Sequence, residues 1–167
     1  MIGPLMLVLG GARSGKSRHA EGLIGALPPP WTYIATAQAF DAEMNERIAL
    51  HRERRDKRWL TVEEPLELPQ ALAAAKGPVL VDCLTLWLTN LMLGNHDLPG
   101  AFAAFETELL QAPGPVVLVS NEVGLGIVPE NALARAFRDE QGRLNQRMAA
   151  LAGHVVFMAA GLPMVLK

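Results

Sequence analysis

Residues Leu5–Leu9 form an apolar run that opens directly into Gly10-x4-Gly15-Lys16-Ser17, the spacing G-x-x-x-x-G-K-[ST] of a phosphate-binding loop. This pattern constrains the fold because it works only as a turn between a buried strand and a helix N-terminus. Glycines at positions 10 and 15 accept backbone angles that a Cβ forbids, so successive N–H groups can turn inward around phosphate oxygens. Lys16 then reaches the β and γ phosphates, and Ser17 supplies a hydroxyl to Mg²⁺. A plain glycine turn between strand and helix is the alternative. The sequence after the loop carries Ala20, Leu23, Ile24 and Leu27 at helical spacing, which is the context a nucleotide loop needs.

Further strand-like runs recur at Thr32–Ala35, Val79–Asp82, Val116–Ser120 and Val155–Met158. Most are apolar throughout, as in a parallel sheet covered by helices on both faces. Arg58–Val62 is a candidate additional strand, and Met164–Leu166 a candidate edge strand after a Gly161-Leu162-Pro163 turn. Helices are expected at 16–27, 42–57, 65–75, 84–93, 99–111 and 131–151. The fold class is therefore α/β, and a length of 167 residues predicts one nucleotide-binding domain. Ligands of such sheets lie beyond the carboxyl ends of the strands, so 10–17, 36–40, 82–85 and 120–129 should converge on one cleft.

Composition narrows the partners. A formal charge of −2 argues against a general nucleic-acid binder, and an apolar share of 50% argues against disorder. The lone Cys83 rules out an internal disulfide framework, and the N-terminus lacks signal-peptide features, so a cytoplasmic address is expected. The apolar stretch around Leu84–Leu93 is interrupted by Thr85, Thr89 and Asn90 and is too short for a bilayer. It reads as a buried helix, with no integral membrane segment.

Three further constellations carry candidate chemistry. Val79–Asp82 is an apolar strand ending in a carboxylate, the form of an acidic Mg²⁺ partner beside a phosphate loop; the other reading is a cap for the helix that follows. Between Asp41 and Arg58 acids lead and bases follow, which suits a helix dipole on a solvated surface. Helical spacing also puts His51 on one face with Arg47 and Arg55, where neighbouring positive charge favours a neutral, nucleophilic imidazole. A single helical histidine is more often structural or solvated, and spacing alone leaves both readings open. Ser120–Asn131 is a glycine-containing, mostly uncharged loop, read either as a ligand or chain contact or as an ordinary connection. It lacks the Asn-Lys-x-Asp order of guanine-reading switch proteins. Arg135, Arg138, Arg143 and Arg147 read as a solvated helix face, while His19, His96 and His154 show no metal-ligand spacing.

Several unusual strings coincide: Gly10-Gly-Ala-Arg-Ser-Gly-Lys-Ser17, Tyr33-Ile-Ala-Thr36, Glu46-Arg-Ile-Ala-Leu-His51-Arg52, Asp82-Cys-Leu-Thr85, and Ser120-Asn-Glu-Val-Gly-Leu-Gly-Ile-Val-Pro-Glu-Asn131. Together they resemble the bifunctional adenosylcobinamide kinase / adenosylcobinamide-phosphate guanylyltransferase family of cobalamin assembly, over nearly the whole chain. The sequence is compact around Gly94–Gly100, where that family varies in length. The resemblance implies a RecA-like P-loop NTPase fold, a homotrimer, and two reactions at one loop with Mg²⁺, ATP and GTP. Adenosylcobinamide is first phosphorylated; a histidine matching His51 then takes GMP from GTP and passes it to adenosylcobinamide phosphate. The implied nucleotide contacts are Gly10, Gly11, Ala12, Arg13, Ser14, Gly15, Lys16, Ser17, Ile34, Ala35, Thr36, Arg52, Glu53, Arg54, Arg55, Glu63 and Asp82, with Lys16 catalytic and Ser17 and Asp82 at the metal. A kinase lacking the second activity and a nucleotide-controlled binding switch are the rival readings.

Overall fold

The computed structural model describes residues 3–38 and 57–167, so the helix expected over 42–57 lies outside the described residues except for Lys57, which sits in a turn. The described chain runs β1 (Leu5–Gly10), α1 (Lys16–Gly25), β2 (Trp31–Ala35), β3 (Trp59–Glu63), α2 (Leu68–Ala74), β4 (Val79–Asp82), α3 (Leu84–Leu93), α4 (Leu98–Gln111), β5 (Val116–Asn121), α5 (Ala132–Leu151), β6 (His154–Ala159) and β7 (Leu162–Val165). The strands form one sheet in the order β3-β2-β4-β5-β1-β6-β7. All neighbours are parallel except β6 and β7, which are antiparallel. This is the mostly parallel α/β sheet that the continuous apolar strands predict.

Side chains alternate across the sheet, and each set meets its own helical layer. Leu5, Leu7 and Leu9 of β1 join Val79, Val81, Val116 and Leu118 against α2, α3, α4 and the buried side of α5. Met6 and Val8 turn the other way, with Leu80, Val117 and Val119, against Ala20 and Ile24 of α1. Leu7, Val8 and Leu118 are wholly buried, as central parallel strands demand. The 84–93 segment is the buried helix expected, with Leu84, Trp87 and Leu88 fully covered and Trp87 packed 5.2 Å from Phe105, ring centre to ring centre.

Three boundaries differ from expectation by two residues or more. α2 begins at Leu68 instead of residue 65 because Glu64 Oε1 accepts the N–H groups of Leu66 (3.0 Å) and Glu67 (2.9 Å), holding a turn there. α1 ends at Gly25, two residues before Leu27. The last reversal is made by Ala160 and Gly161, both at positive φ, so Leu162 and Pro163 belong to β7 itself. Pro163 is tolerated because β7 is an edge strand with its second side unpaired among the described residues. The arginines of α5 are not simply a solvated face either. Arg147 forms a two-pronged bond to Glu106 at 2.5 and 2.8 Å, and Arg138 donates to the carbonyl of Gly124 at 3.2 Å.

One side chain fastens the carboxyl ends of several strands. Asn90, buried on α3, donates from Nδ2 to the carbonyls of Thr36 (2.8 Å) and Pro65 (2.9 Å), just beyond β2 and β3. Asn90→Ala leaves both carbonyls short of a donor and should cost on the order of 2–4 kcal/mol. Urea unfolding is expected to show a lower midpoint with an unchanged slope; an unchanged midpoint would remove this clamp from the account.

Candidate functional site

The site grows from the point where β1 stops. Gly10, its last residue, has φ +151°, and a Cβ there would stand 2.6 Å from the Met158 carbonyl oxygen of β6 and 2.7 Å from Ser14 Oγ. Only a residue without a Cβ allows the chain to leave the sheet so close to β6. Arg13 and Gly15 also have positive φ, at 53° and 97°. Gly15 precedes α1, whose first turn has no side-chain cap at that position, so its N–H groups face the loop. The Ser14 hydroxyl is buried with no partner among the described residues, a polar atom left inside the loop's curve. Lys16 is 7% exposed, and its Nζ donates to the Gly11 carbonyl at 2.6 Å. Burial lowers its proton affinity, against an opposing pull from the Cys83–Asp82 end of β4. Lys16 therefore lies within the electrostatic reach of the β4 end. Ser17 is half-buried at the start of α1.

Parallel register carries the other strand ends to the same edge. Gly10 lies opposite Asn121, Asp82 opposite Val119 and Ala35, and Ala35 opposite Glu63. Asp82 is not a helix cap: Cys83 occupies the N-cap position without a side-chain bond, and Asp82 Oδ2 accepts from Tyr33 Oη at 2.8 Å. Among the described residues that bond occupies one carboxylate oxygen and leaves the other's acceptor capacity for a hard cation. Among the described residues no group of three or more His, Cys, Asp or Glu side chains could hold a metal alone. A hydroxyl and a carboxylate with phosphate oxygens and water suit Mg²⁺, which keeps several waters and takes few protein ligands.

The remaining expected contacts separate by accessibility. Gly11 is half-buried, Ala12 and Arg13 are exposed on the loop, and Glu63 is exposed at the end of β3. Ile34 is wholly buried in the core. Thr36 is wholly buried too, its Oγ1 donating to the Cys83 carbonyl (2.6 Å) and accepting the Cys83 N–H (2.9 Å). Thr36 thus ties β2 to β4, with its hydroxyl already spent on the backbone. His51, Arg52, Glu53, Arg54 and Arg55 lie outside the described residues. The Cys83 thiol is pushed up to about 12, chiefly by burial and then by the charge of Asp82, against N–H donation from Leu86 and Thr85. It is an inert neutral thiol at physiological pH.

A second layer of polar groups lies beneath the cleft and was not legible as a site. Gln141 Nε2 donates to Ser120 Oγ (2.9 Å) and Asn145 Oδ1 (3.0 Å), Ser120 Oγ donates to Asn145 Oδ1 (2.7 Å), and Asn145 Nδ2 donates to the Asn121 carbonyl (3.0 Å). Thr85 Oγ1 accepts the Asn121 N–H at 2.8 Å, and the Glu122 N–H donates to the Gly10 carbonyl at 3.1 Å. These bonds fix the exit of β5 against the exits of β1 and β4. The available signal was the run of polar residues on the inner face of α5, which is separable from a solvated stripe only once the helix is placed.

The family described as "Cobinamide kinase / cobinamide phosphate guanyltransferase" matches residues 6–166. The chain belongs to this family. Cobinamide kinase / guanyltransferase relatives include the bifunctional adenosylcobalamin biosynthesis protein CobP of Pseudomonas aeruginosa, 52% identical over 166 residues and covering 96% of each chain. The bifunctional adenosylcobalamin biosynthesis protein CobU of Salmonella typhimurium is 44% identical over 181 residues, covering 98% of this chain and 99% of its own. A solved ATPase of a bacterial type III secretion system shares the fold at TM-score 0.57 and 14% identity, covering 98% of this chain, which spans 57% of that longer one. The family's nucleotide chemistry thus has a matching frame in the loop between β1 and α1.

Gly10→Ala tests that frame. The methyl group would enter the space held by the Met158 carbonyl and should weaken nucleoside triphosphate binding by at least about tenfold, or 1.4 kcal/mol. Titration with a fluorescent nucleotide reads the effect; unchanged affinity in the folded variant would mean that the loop does not hold the phosphates.

Proposed function

We propose that this chain is one catalytic unit that carries out both reactions of its family at the loop of residues 10–17. The observation that carries the reading is a buried Lys16 in a loop that leaves the same edge of the sheet as Asp82 at the end of β4, within a chain that matches the bifunctional relatives along almost its whole length. In the first reaction the aminopropanol hydroxyl of adenosylcobinamide attacks the γ-phosphorus of ATP or GTP, and the nucleoside diphosphate leaves. Loop N–H groups and Lys16 hold the triphosphate and offset charge that develops on its oxygens. In the second, neutral His51 attacks the α-phosphorus of GTP and pyrophosphate departs. The phosphate of adenosylcobinamide phosphate then displaces the imidazole, giving adenosylcobinamide-GDP and free His51.

Ser17 and Asp82 are the residues proposed to hold Mg²⁺, which supplies positive charge at the phosphate oxygens. Gly10–Ser17, Ile34, Ala35, Thr36, Arg52–Arg55, Glu63 and Asp82 are the proposed nucleotide contacts. Because Ile34 and Thr36 have buried side chains, their part is backbone positioning. Asp82→Asn keeps the shape but removes a charge, so the Mg²⁺ concentration for half-maximal activity should rise about tenfold or more. A superimposable Mg²⁺ titration would take Asp82 out of the metal site.

His51→Asn separates the two chemistries. Direct attack on the γ-phosphorus needs no protein nucleophile, so the variant should still phosphorylate adenosylcobinamide while taking no label from α-labelled GTP. Wild-type protein should hold label that acid removes and alkali does not. Normal labelling of the variant would place the nucleophile on another residue.

The assembly proposed is a homotrimer in the cytoplasm. No described helix is long and apolar enough to cross a membrane. In the loop after β5, Leu125 is 82% exposed and Ile127 98% exposed, with Val128 also open to solvent, and Leu133 is exposed on the first turn of α5. Apolar side chains grouped in this way favour burial against another chain. Light scattering should give a trimer mass at micromolar concentration; a monomer mass would exclude the assembly.

A further inference from the structure

Asp82 is flanked on its own rung of the sheet by Ala35 of β2 and Val119 of β5, neither of which carries a side-chain donor. Its donor comes from a diagonal position. Tyr33 lies opposite Leu80, two residues before Asp82, and Tyr33 and Leu80 both belong to the layer that packs toward α1. Strands about 4.8 Å apart, with a rise of about 3.3 Å per residue, make such a diagonal about 8 Å long. A phenol and a short carboxylate close that span together, and Tyr33 Oη donates to Asp82 Oδ2 at 2.8 Å.

The ring that carries this hydroxyl is itself held in place. Tyr33 is 3% exposed, and its ring meets Trp59 of β3 edge-on, 5.9 Å between ring centres, while Trp59 lies 5.2 Å from the ring of Trp31. Asp82, by contrast, has little of its own to fix its carboxylate. The last torsion of an aspartate is broad, so its two oxygens turn easily unless a donor holds one of them. The Lys16 ammonium takes another partner, the Gly11 carbonyl at 2.6 Å. Mg²⁺ demands near-ideal octahedral geometry, so a carboxylate already oriented by a hydrogen bond holds it better than one that must be ordered on binding.

We propose that Tyr33 is a positioning residue for the metal site: its hydroxyl holds Oδ2 of Asp82, so that Oδ1 remains as the oxygen offered to a divalent cation bound with the nucleotide. The inference rests on the reading of Asp82 as a Mg²⁺ ligand and adds the side chain through which β2 serves that ligand. In this role Tyr33 touches neither the nucleotide nor the cation and acts only through Asp82. Tyr33→Phe keeps the ring against Trp59 and removes the donor alone. Asp82 is half-buried, so water can take the place of the lost hydroxyl and the variant should fold.

Mn²⁺ serves as the probe, because electron paramagnetic resonance reads its binding without turnover. The protein is first loaded with the α,β-methylene analogue of GTP, which cannot give up GMP. Tyr33→Phe should weaken Mn²⁺ binding to this complex about tenfold, while its affinity for the same analogue in EDTA should change less than about twofold. Asp82→Asn should weaken Mn²⁺ binding at least as much. The double variant should match Asp82→Asn within about twofold, because a residue that acts only through Asp82 then has nothing left to act on. Unchanged Mn²⁺ affinity in Tyr33→Phe, or losses that multiply in the double variant, would overturn the positioning role and leave Asp82 at the metal. Unchanged affinity in Asp82→Asn would instead remove Asp82 from the metal site, and Tyr33 with it.

Discussion

The close approach of Gly10 to β6 is the constraint on which the rest depends. A strand that ends 2.6 Å, at its would-be Cβ, from a neighbouring carbonyl must turn out of the sheet there, and the turn throws Ser14, Gly15 and Lys16 over the sheet's edge. β1 can serve as this anchor because both of its neighbours are parallel and both of its faces are covered. Burial of the strand and exposure of the loop's N–H groups are two results of one arrangement. Loss of the first would leave the second without a fixed direction.

Around that anchor, tertiary hydrogen bonds lock the neighbouring strand ends into register with one another. Thr36 holds the Cys83 backbone, Asn90 holds Thr36 and the Pro65 turn, and Thr85 holds Asn121. All join chain segments far apart in sequence, and most are buried. Their effect is to aim Asp82 and Glu63 along one edge while Lys16 enters from the next strands over. A site that must manage several phosphate charges gains from such stiffness, because donors that are already oriented need little reorganisation as charge develops.

Much of the frame was legible because it is local. Five apolar runs became strands of the sheet, and the glycine spacing became the strand-to-helix loop; each depends on neighbours within a few residues. Arg58–Val62 was displaced by only one residue in the observed β3. The cap reading of Asp82 failed because its partner, Tyr33, lies 49 residues away, beyond any spacing rule. Likewise nothing in the sequence pairs Ser120, Gln141 and Asn145 with one another until α5 is laid across β5. The α5 arginines were read as solvated for the same reason: Glu106, the partner of Arg147, is on a helix whose placement the sequence does not disclose. His51 and Arg52–Arg55 lie outside the described residues, so their role rests on the motif and on the family match.

One phosphate loop serving two chemistries is the central claim, and competition between nucleotides tests it most directly. The rate of GMP incorporation from α-labelled GTP should be measured as a non-hydrolysable ATP analogue is raised to saturation. A shared loop predicts competitive inhibition that goes to completion, with an inhibition constant equal to the analogue's dissociation constant measured by direct binding. Incorporation that continues at its full rate when the ATP analogue saturates the protein would contradict the claim, since two triphosphates would then occupy separate sites.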